Sequence, residues 1–100
     1  MREITCEELH KRLNRVRIVD VRTPEEYTGE LGHIPGAELI PMGSGLVEFL
    51  RDLPIDEEII FVCRSGARSG QTTLLSEEMG HTRTFNTVSY THLRAHETSL

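Results

Sequence analysis

Residues 58–69 read Glu58-Ile59-Ile60-Phe61-Val62-Cys63-Arg64-Ser65-Gly66-Ala67-Arg68-Ser69, and this stretch holds the longest apolar run of the chain. The short run of branched side chains predicts a buried β-strand over residues 58–62. A helix is predicted to follow, roughly over residues 71–79, with Gly80 closing it. Cys63 is therefore expected at the carboxyl end of a buried strand, which is where α/β folds bind their ligands.

Predicted strands and helices alternate on both sides of this stretch. Thr5 and Thr23 each begin a capping box, with Glu8 and Glu26 three residues later, so a helix is predicted to begin at each threonine. This alternation predicts a single α/β domain, with a mainly parallel central sheet flanked by helices in three layers. The remaining predicted elements are short strands over residues 17–21 and 37–40, a helix over residues 45–53 and a strand over residues 82–85.

Composition excludes several classes of protein. The 100 residues carry 11 basic and 16 acidic side chains, a net charge of −5, so binding to nucleic-acid phosphates is not expected. No apolar run approaches the ~20 residues of a membrane span, and residues 1–5 hold no apolar signal-peptide region. The two cysteines form no disulfide framework, which favours a reducing cytoplasm. Cys6 has no basic neighbour and is assigned no role.

The loop after the strand is predicted to activate Cys63. Backbone N–H groups of such a loop can point at one centre, and the N-terminus of the following helix adds partial positive charge there. Arg64 and Arg68 add fixed positive charges, while Gly66 lets the backbone turn sharply. We therefore expect the pKa of Cys63 to be lowered and its sulfur to be nucleophilic, in a cradle that also suits an oxyanion. The alternative is a cysteine that is merely buried.

Three motifs in this order resemble the rhodanese family of sulfurtransferases. They are Val19-Asp20-Val21-Arg22-Thr23-Pro24-Glu25-Glu26-Tyr27, Gly32-His33-Ile34-Pro35-Gly36-Ala37 and the loop from Cys63 to Ser69. The resemblance is to a single-domain rhodanese, extends over residues 4–86 and implies the rhodanese-like fold. Leu39 departs from it, since many members carry asparagine at this position.

The resemblance implies a two-step transfer of sulfane sulfur. Cys63 would take the outer sulfur of a small anionic donor such as thiosulfate and become a persulfide. An acceptor, which is cyanide, a small thiol or a protein thiol, would then remove that sulfur. No metal or organic cofactor is needed. The residues expected to bind the substrate are Arg64, Ser65, Gly66, Ala67, Arg68 and Ser69.

Three polar residues of the first two motifs have expected supporting roles. The resemblance implies that Asp20 supports the active-site region rather than reacting. Arg22 either screens the charge of the pocket or is solvated. His33 is expected to stabilise its turn, because sulfur transfer between good nucleophiles and good leaving groups requires no general base.

Two other functions remain open at this point. A cysteine phosphatase or arsenate reductase uses a similar anion loop, but phosphatases place five residues between cysteine and arginine. Here four intervene, and Ser69 occupies the position where a phosphatase needs its arginine. A non-catalytic rhodanese-like interaction module is the other alternative, although such modules often lack the loop cysteine.

Residues 88–98 do not resemble the rest of a rhodanese, which would continue with a glycine-rich turn and a helix bearing an aromatic residue. Val88-Ser89-Tyr90-Thr91-His92-Leu93-Arg94-Ala95-His96-Glu97-Thr98 instead resembles the translation of a sequencing adapter. We therefore expect an incomplete domain over residues 1–86, without its final helix, followed by a non-native tail over residues 87–100. On this ground a helical metal site at His92 and His96 is rejected.

Overall fold

The computed structural model of the protein describes residues 1–30, 32–43 and 45–87. Residues 88–100 of the expected tail and the expected position of the final helix lie outside the described residues, whereas Thr87, the first residue of that tail, belongs to a strand that pairs with Ile4. In chain order the elements are β1 (Arg2–Ile4), α1 (Cys6–Lys11), β2 (Arg17–Asp20), α2 (Pro24–Tyr27), β3 (Glu38–Leu39), α3 (Leu46–Arg51), β4 (Ile59–Val62), α4 (Ala67–Glu78) and β5 (Thr84–Thr87).

The strands form one parallel sheet in the order β1-β5-β4-β2-β3, which confirms the predicted sheet. β4 is the central strand, and its Val62 lies opposite Asp20 of β2 in the register. The chain leaves β2 toward β3 on one side and leaves β4 toward β5 on the other. A crevice therefore opens between the carboxyl ends of β2 and β4. Cys63 follows β4 directly and lies at this crevice.

Side chains of the sheet alternate between two apolar layers. Ile60 belongs to the layer that also contains Leu9 of α1. Phe61, the next residue, belongs to the opposite layer with Leu50 of α3 and the partly buried Leu75 of α4. Helices therefore cover both faces of the sheet, and the three-layer prediction is confirmed.

Both predicted capping boxes are present. The Thr5 hydroxyl accepts a hydrogen bond from the backbone N–H of Glu8 at 3.1 Å, and the Glu8 carboxylate accepts one from the N–H of Thr5 at 2.9 Å. Thr23 and Glu26 repeat this arrangement at the start of α2. The beginnings of α1 and α2 are thus determined by residues within one turn of each helix.

The edge strand β1 was not predicted, and β5 begins later than expected. Only Ile4 of β1 is buried, so the strand carries almost no apolar pattern and forms by pairing with β5. β5 begins at Thr84, two residues after the predicted start, and has buried polar residues in place of an apolar run. Local sequence gives little signal for either strand, since both depend on contacts with distant residues.

The largest difference from prediction is the start of α4, which begins at Ala67 rather than near Gln71. Ser69 and Gly70 suggest a loop in the sequence, but both are buried on the helix. A Cβ atom at Gly70 would lie 3.3 Å from the amide nitrogen of Asn86, so the absence of a side chain lets α4 approach β5 closely. Small polar residues thus form the buried face of this helix: Ser69, Thr72, Thr73 and Ser76.

Candidate active site

The sulfur of Cys63 lies at the centre of the loop that joins β4 to α4. Cys63 has no exposed surface. Its Sγ accepts hydrogen bonds from the backbone N–H of Gly66 at 3.1 Å and from that of Ser69 at 3.3 Å. The Ser69 hydroxyl contacts the same sulfur at 3.2 Å. Three donors from a single loop and helix turn therefore converge on one atom.

The loop closes around the sulfur because Gly66 adopts a left-handed conformation. Its φ angle is 95°, a region that L side chains rarely adopt. Gly66 also stands at the N-cap position of α4, where it supplies no side-chain cap. The hydroxyl of Ser65 accepts a hydrogen bond from the N–H of Ala67 at 3.3 Å, which holds the first turn. The N–H groups of Gly66 and Ser69 donate to the sulfur instead.

The pKa of Cys63 is lowered, as predicted, although by a different balance of effects. Burial raises the pKa of the thiol, because charge is disfavoured away from water. Hydrogen bonds outweigh burial: the Ser69 hydroxyl, then the N–H groups of Ser69, Gly66 and Ser65, lower the pKa. The contributions that lower the pKa are thus led by hydrogen bonds, whereas the sequence-based prediction also assigned a share to the charges of Arg64 and Arg68.

Arg68 lies next to the site but is paired with a residue that the sequence analysis did not assign to it. Its two guanidinium nitrogens donate to the two carboxylate oxygens of Glu26 at 2.8 and 3.0 Å. The hydrogen bond from Arg68, with smaller contributions from Thr23, lowers the pKa of Glu26 to about 2, and the same pair raises the pKa of Arg68. Glu26 thus closes the capping box of α2 and also fixes Arg68 of α4. The capping box already explains the presence of Glu26, and no local pattern indicates a second partner for it.

Asp20 and Arg22 form a buried ion pair at the carboxyl end of β2, with side chains 0% and 1% exposed. The guanidinium of Arg22 donates to both carboxylate oxygens of Asp20 at 2.8–3.1 Å, and also to the carbonyl of Gly32 at 2.8 Å. Arg22 is therefore buried and paired, which decides against the solvated alternative. The pair ties β2 to the turn at residues 32–37 and lies beside β4, the strand that precedes Cys63.

A cleft of about 270 Å³ lies beside the loop. Both basic and acidic side chains line the cleft. One of the basic residues is the exposed Arg64, which directly follows Cys63. Of the predicted substrate-binding residues, Arg64 is thus the one that lines this cleft. The other lining residues are Arg22, Glu26, Gly29 and Glu30.

Two further predicted side chains lie in packing positions. His33 stacks on Tyr27 with ring centroids 3.7 Å apart, and its Nδ1 lies 3.0 Å from the backbone oxygen of Tyr27. The Tyr27 hydroxyl donates to the carbonyl of Ala37 at 2.7 Å, so this group holds the turn together. Cys6 is half-buried at the start of α1, against the apolar layer on that face of the sheet.

Asn86 of β5, a buried residue that contacts both Ser69 and Gly66, was not predicted from the sequence. Sequence offers no local signal for this contact, since Ser69 stands at the start of α4 and Asn86 follows 17 residues later on β5. Within residues 1–30, 32–43 and 45–87, no group of three or more metal-ligating side chains could hold an ion. Among these same residues, no helix has the length and apolar character needed to cross a bilayer.

Comparisons with known proteins agree on one family. The profile of the family described as "Rhodanese-like domain" matches residues 5–90. The chain is 37% identical over 87 residues to a sulfurtransferase of Allochromatium vinosum, a match that covers 84% of this chain and 78% of the relative. It is 31% identical over 86 residues to an uncharacterised protein, YqhL, of Bacillus subtilis, covering 86% of this chain and 66% of the relative.

A solved structure supports the same relationship. The crystal structure of a rhodanese-like domain protein from Staphylococcus aureus superposes with a TM-score of 0.80 at 35% identity. The match covers 94% of this chain and 91% of the other. The similarity thus extends over most of both chains.

Proposed function

The chain belongs to the rhodanese-like domain family, and on that premise we propose that it transfers sulfane sulfur from thiosulfate, or a similar small anion, through a persulfide on Cys63. The observation that carries the proposal is the convergence of two backbone N–H groups and the Ser69 hydroxyl on the sulfur. This arrangement stabilises negative charge on the sulfur. A cysteine needs that stabilisation to act as a nucleophile, because its thiolate is the reactive form. The sulfurtransferase among the relatives supports the same reaction class.

In the first step the Cys63 thiolate attacks the outer sulfur of thiosulfate. A new S–S bond forms, the S–S bond of thiosulfate breaks, and sulfite leaves with the electron pair. The outer sulfur of the resulting persulfide is anionic near neutral pH and lies within a loop of N–H donors. Arg64 in the neighbouring cleft supplies positive charge for the incoming anion.

In the second step an acceptor attacks the outer sulfur of the persulfide. Cyanide would be converted to thiocyanate, and a thiol would be converted to a new persulfide. In both cases the Cys63 thiolate is the leaving group. The hydrogen bonds that lower the pKa of Cys63 also make it a good leaving group. The acceptor is a small thiol, a protein thiol or cyanide, and a reducing cytoplasm would keep Cys63 available for the cycle. Nucleic acid and membrane are not expected as partners.

Two alternatives keep specific support. A phosphatase or arsenate reductase is favoured by the lowered thiol pKa, although the loop places four residues rather than five between Cys63 and Arg68. An interaction module is favoured by the pairing of Arg68 with Glu26, which occupies one of the two arginines expected to bind a donor.

The test is thiocyanate formation from thiosulfate and cyanide by the full chain. We expect initial rates at several fixed thiosulfate concentrations to give parallel reciprocal plots, as a ping-pong cycle requires. Cys63→Ser is expected to abolish the activity, and Cys6→Ser, the matched control, to retain it. Hydrolysis of an aryl phosphate that depends on Cys63, without thiocyanate formation, would favour the phosphatase. A folded protein with neither activity would favour the interaction module.

A further inference from the structure

Asn86 reaches the active-site loop from β5, yet the sulfur-transfer steps give it no role. Asn86 is buried, with only 3% of its surface exposed. The amide Nδ2 donates to the carbonyl oxygen of Gly66 at 3.2 Å, and Oδ1 lies 2.5 Å from Oγ of Ser69. Ser69 Oγ in turn lies 3.2 Å from Sγ of Cys63. One hydroxyl group therefore links the strand to the sulfur.

The Gly66 carbonyl determines which way the Asn86 amide faces. A carbonyl oxygen only accepts hydrogen bonds, so the group that faces it must be the NH₂ of Asn86. The amide oxygen therefore faces Ser69, and because that oxygen also only accepts, Ser69 must be the donor. A hydroxyl carries one proton. Ser69 thus cannot donate fully to Asn86 and to the sulfur of Cys63 at the same time.

We propose that Asn86 is a positioning residue that competes with the sulfur of Cys63 for the single hydroxyl proton of Ser69. When Cys63 is protonated, its S–H donates to Ser69 Oγ, and Ser69 donates to Asn86 Oδ1. When the thiol proton leaves to solvent, the hydroxyl proton turns to the thiolate, because a hydrogen bond to a charged acceptor is stronger. Asn86 Oδ1 then remains buried without that donor, which carries a free-energy cost.

Asn86 therefore opposes formation of the thiolate, although the loop as a whole favours it. A thiolate with a higher pKa is the more nucleophilic sulfur, so this restraint keeps Cys63 reactive once it is ionised. This consequence for sulfur transfer rests on the proposed function. The competition for the proton does not, because it follows from the contacts of Ser69 alone.

Other charged groups lie around the carboxyl ends of β2 and β4, and one of them, Arg68, interacts electrostatically with Cys63. They are Arg64 of the loop, Arg68 of α4 with its partner Glu26 of α2, and the buried pair of Asp20 and Arg22. Every variant below retains all five. Their contribution to the titration of Cys63 is therefore the same in each protein that is compared.

The experiment measures the pH midpoint of alkylation by iodoacetamide in a Cys6→Ser background, so that Cys63 alone reports. Asn86→Leu has a similar shape but no acceptor, and we expect it to lower the midpoint by about one pH unit. Asn86→Asp places a negative acceptor beside Ser69 and is expected to raise the midpoint. If the substitutions merely loosened the loop, the sulfur would lose hydrogen-bond donors and the midpoint would rise in both variants. A fall in Asn86→Leu together with a rise in Asn86→Asp therefore identifies the competition for the proton.

Dependence on Ser69 is the second part of the test. Without the hydroxyl no proton can be shared, so Asn86→Leu in a Ser69→Ala background should leave the midpoint where Ser69→Ala alone puts it. A midpoint that rises or stays constant in Asn86→Leu would overturn the proposal, as would a shift that persists without the Ser69 hydroxyl. Should Asn86→Leu fail to fold, the smaller Asn86→Ala removes the same acceptor and is expected to shift the midpoint in the same direction.

Ser76 and Thr84 offer a matched control in the same helix–strand contact. Their hydroxyl oxygens lie 2.8 Å apart, both residues are fully buried, and Ser76 lies seven residues after Ser69 on α4. Thr84→Val should leave the midpoint unchanged, and a shift equal to that of Asn86→Leu would show a general packing effect and overturn the proposal. If wild type carries no sulfur while the midpoints shift as expected, the proposed function alone fails.

Discussion

The first turns of α1 and α4 satisfy their backbone N–H groups in different ways. At α1 the side chains of Thr5 and Glu8 form a closed capping box, so the turn is complete by itself. At α4 the N-cap is Gly66, which has no side chain to offer, and N–H groups of the turn donate to the sulfur of Cys63. The sulfur thus occupies the place that a capping oxygen holds elsewhere in the chain.

This difference shows how an ordinary helix start becomes a reactive site. Thr5 caps α1 with a neutral oxygen that is held by its own helix. Cys63 comes from the neighbouring strand, and its sulfur can carry a full negative charge at the position where the helix favours one. Backbone groups that only stabilise structure at α1 therefore stabilise a thiolate at α4.

The largest expected effect comes from Gly66→Ala, which forces a side chain into the left-handed conformation at the start of α4. The strain is expected to cost roughly 1–2 kcal/mol of unfolding free energy. Since the loop must also change shape, the N–H donors should move away from the sulfur and the pKa of Cys63 should rise. Chemical denaturation and the pH profile of alkylation measure the two effects separately.

Gly36→Ala is the control for this variant. Gly36 has a similar φ of 84°, and a Cβ atom there would meet nothing within 4 Å. It should lose a similar amount of stability and leave the titration of Cys63 unchanged. Equal effects of both variants on the thiol would contradict the account of the sulfur as a cap.

A smaller effect is expected from Glu26→Gln, which removes the charge that faces Arg68 and retains the capping box of Thr23. Because folding lowers the pKa of Glu26 from 4.5 to about 2, the pair stabilises the protein above pH ~4.5, and this contribution is lost as the pH falls toward 2. The side chains of Arg68 and Glu26 are 36% and 26% exposed, so water screens the pair and we expect about 1 kcal/mol or less.

Denaturation of wild type and Glu26→Gln at a series of pH values measures this contribution. The difference in unfolding free energy should be constant near neutral pH and should vanish as the pH falls from about 4.5 to about 2. A difference that grows toward low pH would have the wrong sign for this pair and would refute the assignment.

Sequence predicted the features that depend on neighbouring residues. The capping boxes at Thr5 and Thr23 lie within single turns, and the strand before Cys63 is a continuous apolar run. The alternation of elements was enough for the parallel three-layer fold. The lowered pKa of Cys63 was also predicted, because a turn at the start of a helix supplies its donors locally.

Contacts between distant residues were not predicted. Glu26 and Arg68 lie 42 residues apart, and Ser69 and Asn86 lie 17 apart on different elements. The early start of α4 belongs to the same group, since its buried face is made of small polar residues without an apolar period. Only the packing of α4 against β5 shows that the small polar residues of α4 are buried.

The most direct test of the central claim is the intact mass of the protein after incubation with thiosulfate and removal of excess donor. We expect wild type to gain the mass of one sulfur atom and to lose it when cyanide is added. Cys6→Ser should behave like wild type, and Cys63→Ser should gain nothing. A folded wild-type protein that gains no sulfur, or a gain that persists in Cys63→Ser, would contradict the account.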